Sequence, residues 1–190
     1  MRIIEWQEFI ESGLPYDKVS MTVGVFDGVH KGHKALIERV VLQSGKGGQN
    51  AVPVAVTFKE PISKSEGVPF IIQSFEEKTA ALEALGVKVL IVIDFTEEFS
   101  RMTGLQFLET LLAHAEIEFF AVGANFRCGY GLDTDASAIK NFFTEKGIAV
   151  EIVPEVLHDG SPISSSRIRT ALAQGDIELA EALIGKTLSG

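Results

Sequence analysis

The chain has a single cysteine, Cys128, in 190 residues. One thiol excludes an internal disulfide and a cysteine-rich zinc cage, and makes a reducing cytoplasm the expected compartment. Histidines number four. Beyond His30 and His33 only His114 and His158 remain, at unrelated distances, so no metal-ligand set is read from the sequence. Basic residues are also scarce, with 17 Lys and Arg against 26 Asp and Glu and a net charge of −9. That balance argues against nucleic-acid or acidic-membrane binding, which relies on clustered cations. It leaves room for a small anionic ligand held by a few donors. No apolar run approaches the ~18 residues of a membrane span, and the longest, Val87 to Ile93, is strand-sized. Arg2 and Glu5 interrupt any secretory-signal core. Internal repeats, linkers and low-complexity tracts are missing too. What the chain does have is 46% apolar residues, enough for one packed domain over residues 1–190.

Two familiar phosphate signatures also fail. Gly185-Lys186-Thr187 resembles the end of a P-loop, but position 180 is Ala and the segment ends a helix instead of opening one. Gly45-Lys46-Gly47-Gly48 follows a helix and lacks the third glycine of the dinucleotide fingerprint. It reads as a turn.

One segment stands out: Gly24-Val25-Phe26-Asp27-Gly28-Val29-His30-Lys31-Gly32-His33. It leaves an apolar stretch, Met21 to Val25, and enters a helix predicted over Ala35 to Leu42. A helix start offers unpaired N–H groups and the positive end of the macrodipole, both favourable to anions. Gly28 and Gly32 allow close backbone approach to a ligand. Two imidazoles at i and i+3 then supply donors for phosphate oxygens.

Around it, strand and helix patterns alternate. Strands are predicted at Thr22–Phe26, Val52–Phe58, Val87–Ile93, Phe119–Val122 and Ala149–Val153, each short and rich in Val, Ile or Phe. Helices are predicted from Ser74 to about Leu85, from Thr103 to about His114 and from Ala136 to about Lys146. The second would bury Leu105, Leu108, Leu111 and Leu112. A short helical tail follows, one helix from Ser164 to about Gly175 and another over Ile177–Ile184. The pattern predicts an α/β domain whose parallel sheet of about five strands is flanked by helices. Ligands in such sheets sit beyond the carboxyl ends of the strands, near a switch in strand order. The loops Thr57–Pro69 and Gly123–Asp135 lie at such ends beside the histidine segment.

The histidine segment resembles the signature Gly-x-Phe-Asp-Gly-x-His-x-Gly-His of the HIGH-motif nucleotidyltransferases, in particular the adenylyltransferase domain of bacterial FAD synthetases. Three further segments agree in order. Val56-Thr57-Phe58 is similar to the family's Thr-Phe loop, and Gly123-Ala124-Asn125-Phe126-Arg127-Cys128-Gly129 to its Asp/Asn-Phe-x-Phe-Gly motif. Ile163-Ser164-Ser165-Ser166-Arg167-Ile168-Arg169 is similar to Ile-Ser-Ser-Thr-x-Ile-Arg, with Ser166 in place of Thr. The end, Ala182 to Lys186, resembles the family's closing Leu-Leu-Gly-Arg. The likeness runs from about Val23 to Gly185. Departures are the single Pro61 after the Thr-Phe pair, Cys128 in place of an aromatic, and Leu132 where a basic residue is common.

The resemblance implies a Rossmann-like nucleotidyltransferase fold and a reaction in which an FMN phosphate oxygen attacks the α-phosphorus of ATP, giving FAD and pyrophosphate. His30, His33 and Arg169 would be catalytic. Gly24, Phe26, Asp27, Gly32, Ser165 and Ser166 would hold the ATP phosphates, and Phe58, Asn125, Phe126 and Arg127 the flavin. Ser164 or Ser165 is equally read as a helix cap, Asp27 as a turn cap and Phe126 as core. Arg167 reads as a surface or ion-pair residue. Mg²⁺ would arrive with ATP, and no protein metal site is implied. Riboflavin phosphorylation is not expected of these residues, which leaves a separate riboflavin kinase as a supplier of FMN. Transfer to another phosphorylated acceptor, or catalytically weak flavin or nucleotide binding, remain alternatives.

Overall fold

A computed structural model describes residues 1–45, 50–59 and 71–187. Its centre is a six-stranded sheet: β1 (Arg2–Glu5), β2 (Val19–Val23), β3 (Val52–Phe58), β4 (Val89–Ile93), β5 (Ile117–Gly123) and, after two short strands, β8 (Ala149–Val153). The order is β1-β4-β3-β2-β5-β8, and every neighbouring pair is parallel. All the predicted strands are present. The added one, β1, is an edge strand in which only Ile4 is buried, too short and too charged to announce itself.

Helices cover both faces. α1 (Trp6–Ser12), α5 (Gly104–His114) and α6 (Ala136–Thr144) lie on one side; α2 (Lys31–Ser44) and α3 (Phe75–Ala84) lie on the other. The one-turn α4 (Glu97–Ser100) follows β4. Alternate residues divide between the two cores. Val89, Ile91 and Ile93 of β4 face the first, and Leu90 and Val92 the second. That is the period of two expected of a strand, and burial on both sides explains the near-continuous apolar runs. Phe119 and Phe120 are both buried, one in each core.

Local signals account for the helix starts. Ser74 and Glu77 close a capping box on α3, and Thr103 and Gln106 do so on α5. In α5 the buried positions are Gly104, Phe107, Leu108 and Leu111. Leu105, predicted on the apolar face, is exposed, because Phe107 takes the inward position and rotates the stripe. The two short antiparallel pairs are β6 (Arg127–Cys128) with β7 (Thr134–Asp135), and β9 (Leu157–His158) with β10 (Ser161–Pro162). The tail forms α7 (Ser165–Ala173) and α8 (Ile177–Ile184), which share a small core with Ile163. Lys34 on α2 donates to the Ile184 carbonyl at 3.0 Å, fixing α8 against the histidine helix. Gly185, at φ +75°, ends α8, as a C-cap does and a P-loop does not.

The chain runs β2, β3, β4 toward one edge, then β5 and β8 toward the other. The reversal falls between β2 and β5, where a doubly wound sheet opens a crevice at its carboxyl end. Pro61 and the glycines at 47 and 48 lie outside the described residues.

Candidate active site

Strand β2 ends at Val23, earlier than predicted, because the next residues make a folded turn. Phe26 is buried with φ +52° and Val29 has φ +30°, both in the left-handed region that side chains disfavour. The Phe26 ring folds back over Gly24, where a Cβ would stand 2.9 Å from it. A side chain at position 24 would have to displace that ring. Backbone strain at such a turn persists because the packing around it holds it.

α2 begins at Lys31, earlier than predicted, with His30 as its cap. His30 Nδ1 accepts a hydrogen bond from the His33 backbone N–H at 3.3 Å. The neutral His30 ring therefore carries its proton on Nε2. The two imidazoles stack with centroids 3.6 Å apart, and the His33 ring meets the edge of Phe26 at 5.3 Å. Gly32 makes room for this, since a Cβ would come within 3.1 Å of the His30 ring. Burial pushes the His30 imidazolium down to about 4, with Lys34 adding to the shift. Burial, then His30 and Lys78, holds His33 well below the ordinary histidine value. Both rings are neutral donors at physiological pH. Among the described residues, nothing hydrogen-bonds the buried His33 Nδ1.

Asp27 ties this turn to the C-terminal helices. Its Oδ2 lies 2.5 Å from Arg169 Nη2, its Oδ1 accepts from the Ile72 N–H at 3.1 Å, and its carbonyl accepts from Ser165 Oγ at 2.8 Å. Ser164 Oγ caps α7 by accepting from the Arg167 N–H. Arg167 itself donates to the carbonyls of His158 and Ser161, both at 3.0 Å, and so braces the β9–β10 hairpin.

Two adjoining cavities open at the crevice. The larger, about 530 Å³, is lined by Gly24, Phe26, His30, Gly32, His33, Asn125, Ser165 and Ser166, with Glu155 at its rim. The first turns of α2 and α7 both border it, an arrangement suited to an anion. The smaller, about 130 Å³, is apolar and aromatic, with Phe58, Phe95, Phe99, Phe107 and Cys128 in its wall. Val23, Val25, Phe126, Arg127 and Leu132 line both. Phe58, Phe95 and Phe99 meet edge to face at 5.7–6.0 Å.

Most residues singled out in the sequence therefore converge. Asp27 and Arg169 line neither cavity; they lie behind the larger one, paired with each other. Asn125 donates to Glu155, and Arg127 Nε donates to the Leu132 carbonyl at 3.1 Å. Cys128 is half-buried, and burial, then Asp133, pushes its thiol up to about 12. Sequence reasoning missed Phe95, Phe99, Met102, Phe107 and Glu155. Their one available signal was position: Phe95 and Phe99 follow directly on the carboxyl end of β4.

Among the described residues no three His, Cys, Asp or Glu side chains converge as a metal site, and none of their helices is long and apolar enough to cross a membrane. The sheet order, the crevice and the paired helix starts define a nucleotidyltransferase-like α/β protein. Pantothenate synthetase from Thermus thermophilus shares this fold at TM-score 0.54 and 17% identity, over 97% of this chain and 81% of that one. The family model for FAD synthetase matches residues 15–167, and the chain belongs to that family. A bifunctional riboflavin kinase/FMN adenylyltransferase of Escherichia coli is 31% identical over 179 residues, covering 92% of this chain. The chain spans 56% of that relative's length. The FAD synthetase of Listeria monocytogenes is 28% identical over 169 residues, covering 87% of this chain and 68% of the relative. A Streptococcus pneumoniae structure described as a macrolide-efflux protein superposes at TM-score 0.85 and 29% identity, over 99% of this chain and 72% of that one.

Proposed function

We propose that this chain transfers AMP from ATP to FMN, releasing pyrophosphate and forming FAD. The observation that carries the reading is the shared wall. An anion-suited cavity between two helix starts abuts an aromatic slot through Val23, Val25, Phe126, Arg127 and Leu132. A flavin phosphate has an apolar ring at one end and an anion at the other, and the paired cavities match that division.

In this reading the triphosphate lies along the first turns of α2 and α7. His30 donates from Nε2 and His33 from its ring N–H. Ser166 adds its hydroxyl, and Ser165, whose own hydroxyl is held by the Asp27 carbonyl, adds its backbone N–H with the rest of the first turn of α7. Both rings are neutral and Arg169 is paired with Asp27, so positive potential at the phosphates comes from the helix starts, and Arg169 acts by fixing the Asp27 turn against α7. Gly24, Phe26 and Gly32 shape the wall that the phosphates approach. Phe58 and Phe126 border the flavin ring, with Asn125 beside Phe126 on the wall of the larger cavity. Arg127, which lines both cavities, offers the remaining donors of its guanidinium to the FMN phosphate. The FMN oxygen attacks the α-phosphorus in line and pyrophosphate leaves. Catalysis is chiefly positioning and stabilisation of developing charge. Mg²⁺ enters as the counter-ion of ATP. No covalent nucleophile is needed, and the neutral Cys128 thiol supplies none.

Incubation with ATP, Mg²⁺ and FMN tests the reading by following FAD and pyrophosphate together. Equal appearance of both is expected. Turnover only with another phosphorylated acceptor would replace FMN as substrate, and tight flavin binding without turnover would reduce the chain to a binding module.

A further inference from the structure

The machinery described so far does not use a charge buried directly beneath it. Lys78, in the second turn of α3, is 6% exposed. Its Nζ donates to the Phe58 carbonyl at 2.7 Å and approaches the Val25 carbonyl at 3.4 Å and Thr57 Oγ1 at 3.5 Å. Thr57 Oγ1 in turn donates to the Val25 carbonyl at 3.1 Å. The Phe75 ring lies 5.4 Å from the ammonium. These oxygens belong to the carboxyl end of β3 and to the turn just after β2, adjacent strands at the centre of the sheet. Beyond them, Val25 lines both cavities and Phe58 lines the aromatic one.

Stability does not explain a lysine here. α3 otherwise packs Leu82, Phe75 and Ala81 onto the apolar core, and a methionine would fill the same path without a buried charge. A buried ammonium is costly even when its donors are satisfied, and apolar replacement is often neutral or stabilising. Nor do the nearby site residues described above take over its charge: the histidines are neutral and Arg169 is committed to Asp27.

We propose that Lys78 is a positioning residue for adenylyl transfer, its ammonium clasping the ends of β2 and β3 so that the ATP side and the flavin side keep one relative geometry. This rests on the proposed FMN adenylylation. The clasp predicts that both substrates feel the loss of Lys78, although it touches neither. Its charge also has a signature. Burial pulls the ammonium down to about 8, and Asp27 partly restores it. Among the described residues, the charged and titratable groups facing it are Asp27 from the turn after β2, itself paired with Arg169 of α7, and His33 of α2. Lys78 is thus protonated at neutral pH and loses its charge just above it.

The test compares wild type with Lys78→Met, Lys78→Arg and Thr57→Val by melting temperature, ATP and FMN titration, and kcat against pH. Lys78→Met should melt near wild type, bind ATP and FMN each about fivefold more weakly, and lose about a hundredfold in kcat. Lys78→Arg should recover part of the loss. Wild-type kcat should fall above pH 8, and Lys78→Met should lack that limb. Normal kcat in Lys78→Met, or a basic limb that survives it, overturns the proposal. If Lys78→Met does not fold, Thr57→Val decides: about a threefold loss of kcat at unchanged melting temperature supports the clasp, and unchanged kcat refutes it. If wild type forms no FAD, the adenylylation reading fails on its own. ATP titration then judges the clasp, weaker binding by Lys78→Met or Thr57→Val supporting it and equal binding rejecting it.

Discussion

The two halves of the crevice are built by different means. The anion side is made of backbone and helix starts: Gly24, Gly32 and the caps His30 and Ser164, gathered in two short segments. The aromatic side is made of side chains from scattered positions, among them Phe58, Phe95, Phe99, Phe107 and Cys128. A phosphate is one compact anion, which a local turn geometry suffices to hold. In the proposed reading a flavin ring is enclosed on several sides, so its walls come from wherever the fold brings surfaces together.

The largest expected effect lies on the anion side. His33→Ala should reduce kcat by a factor of ~10² or more, since one well-placed transition-state donor is worth that much. The variant should melt near wild type, and steady-state kinetics would check it. Near-normal turnover in a folded His33→Ala protein would break the assignment of the two sides.

Acid should weaken that side next. The His30 ring binds a proton less readily in the fold, at about 4, than in the unfolded chain at its ordinary 6.5. As pH falls from 6.5 to 4 the unfolded chain takes up the proton first, so stability drops. The loss is about 3 kcal/mol from His30 alone, complete below pH 4. His33 adds in the same direction. Urea denaturation of wild type and His30→Asn across this range should show a shallower acid decline in the variant.

Smaller effects sharpen the aromatic side. Phe95→Ala removes ring contacts to Phe58 and Phe99. It should weaken FMN binding about tenfold while leaving ATP binding unchanged, as expected for one aromatic pair or two. Flavin fluorescence titration would read the first and calorimetry the second. Smallest of all, Cys128→Ser should keep kcat within about threefold, because a neutral thiol takes no covalent part and the change is nearly isosteric.

The same division decides what the sequence reveals. His30, His33, Ser165 and Ser166 are legible because local spacing alone places them at helix starts. The inner strands β2 to β5 are legible because burial on both faces makes them largely apolar, and the far edge strand β8 because Val150, Ile152 and Val153 keep a β-branched pattern. Arg2–Glu5 is not, since four residues with a charge at each end and one buried position show no pattern. Phe26 reads as strand because its ring is apolar, yet its left-handed backbone and buried ring belong to the turn. Asp27 and Arg169 read as phosphate contacts. Their 2.5 Å pairing across 142 positions of sequence is a tertiary fact that no spacing encodes. Phe95, Phe99 and Phe107 look like ordinary core residues until the fold leaves space between them. Lys78 looks like one more charge on an amphipathic helix, and only packing shows that it points inward.

In the proposed reading the two cavities form a single continuous site in which two bound substrates react directly. Initial rates measured with ATP and FMN varied together test that most directly. Direct transfer within a ternary complex predicts intersecting double-reciprocal lines and no pyrophosphate released in the absence of FMN. Parallel lines, with pyrophosphate released before FMN binds, would contradict it.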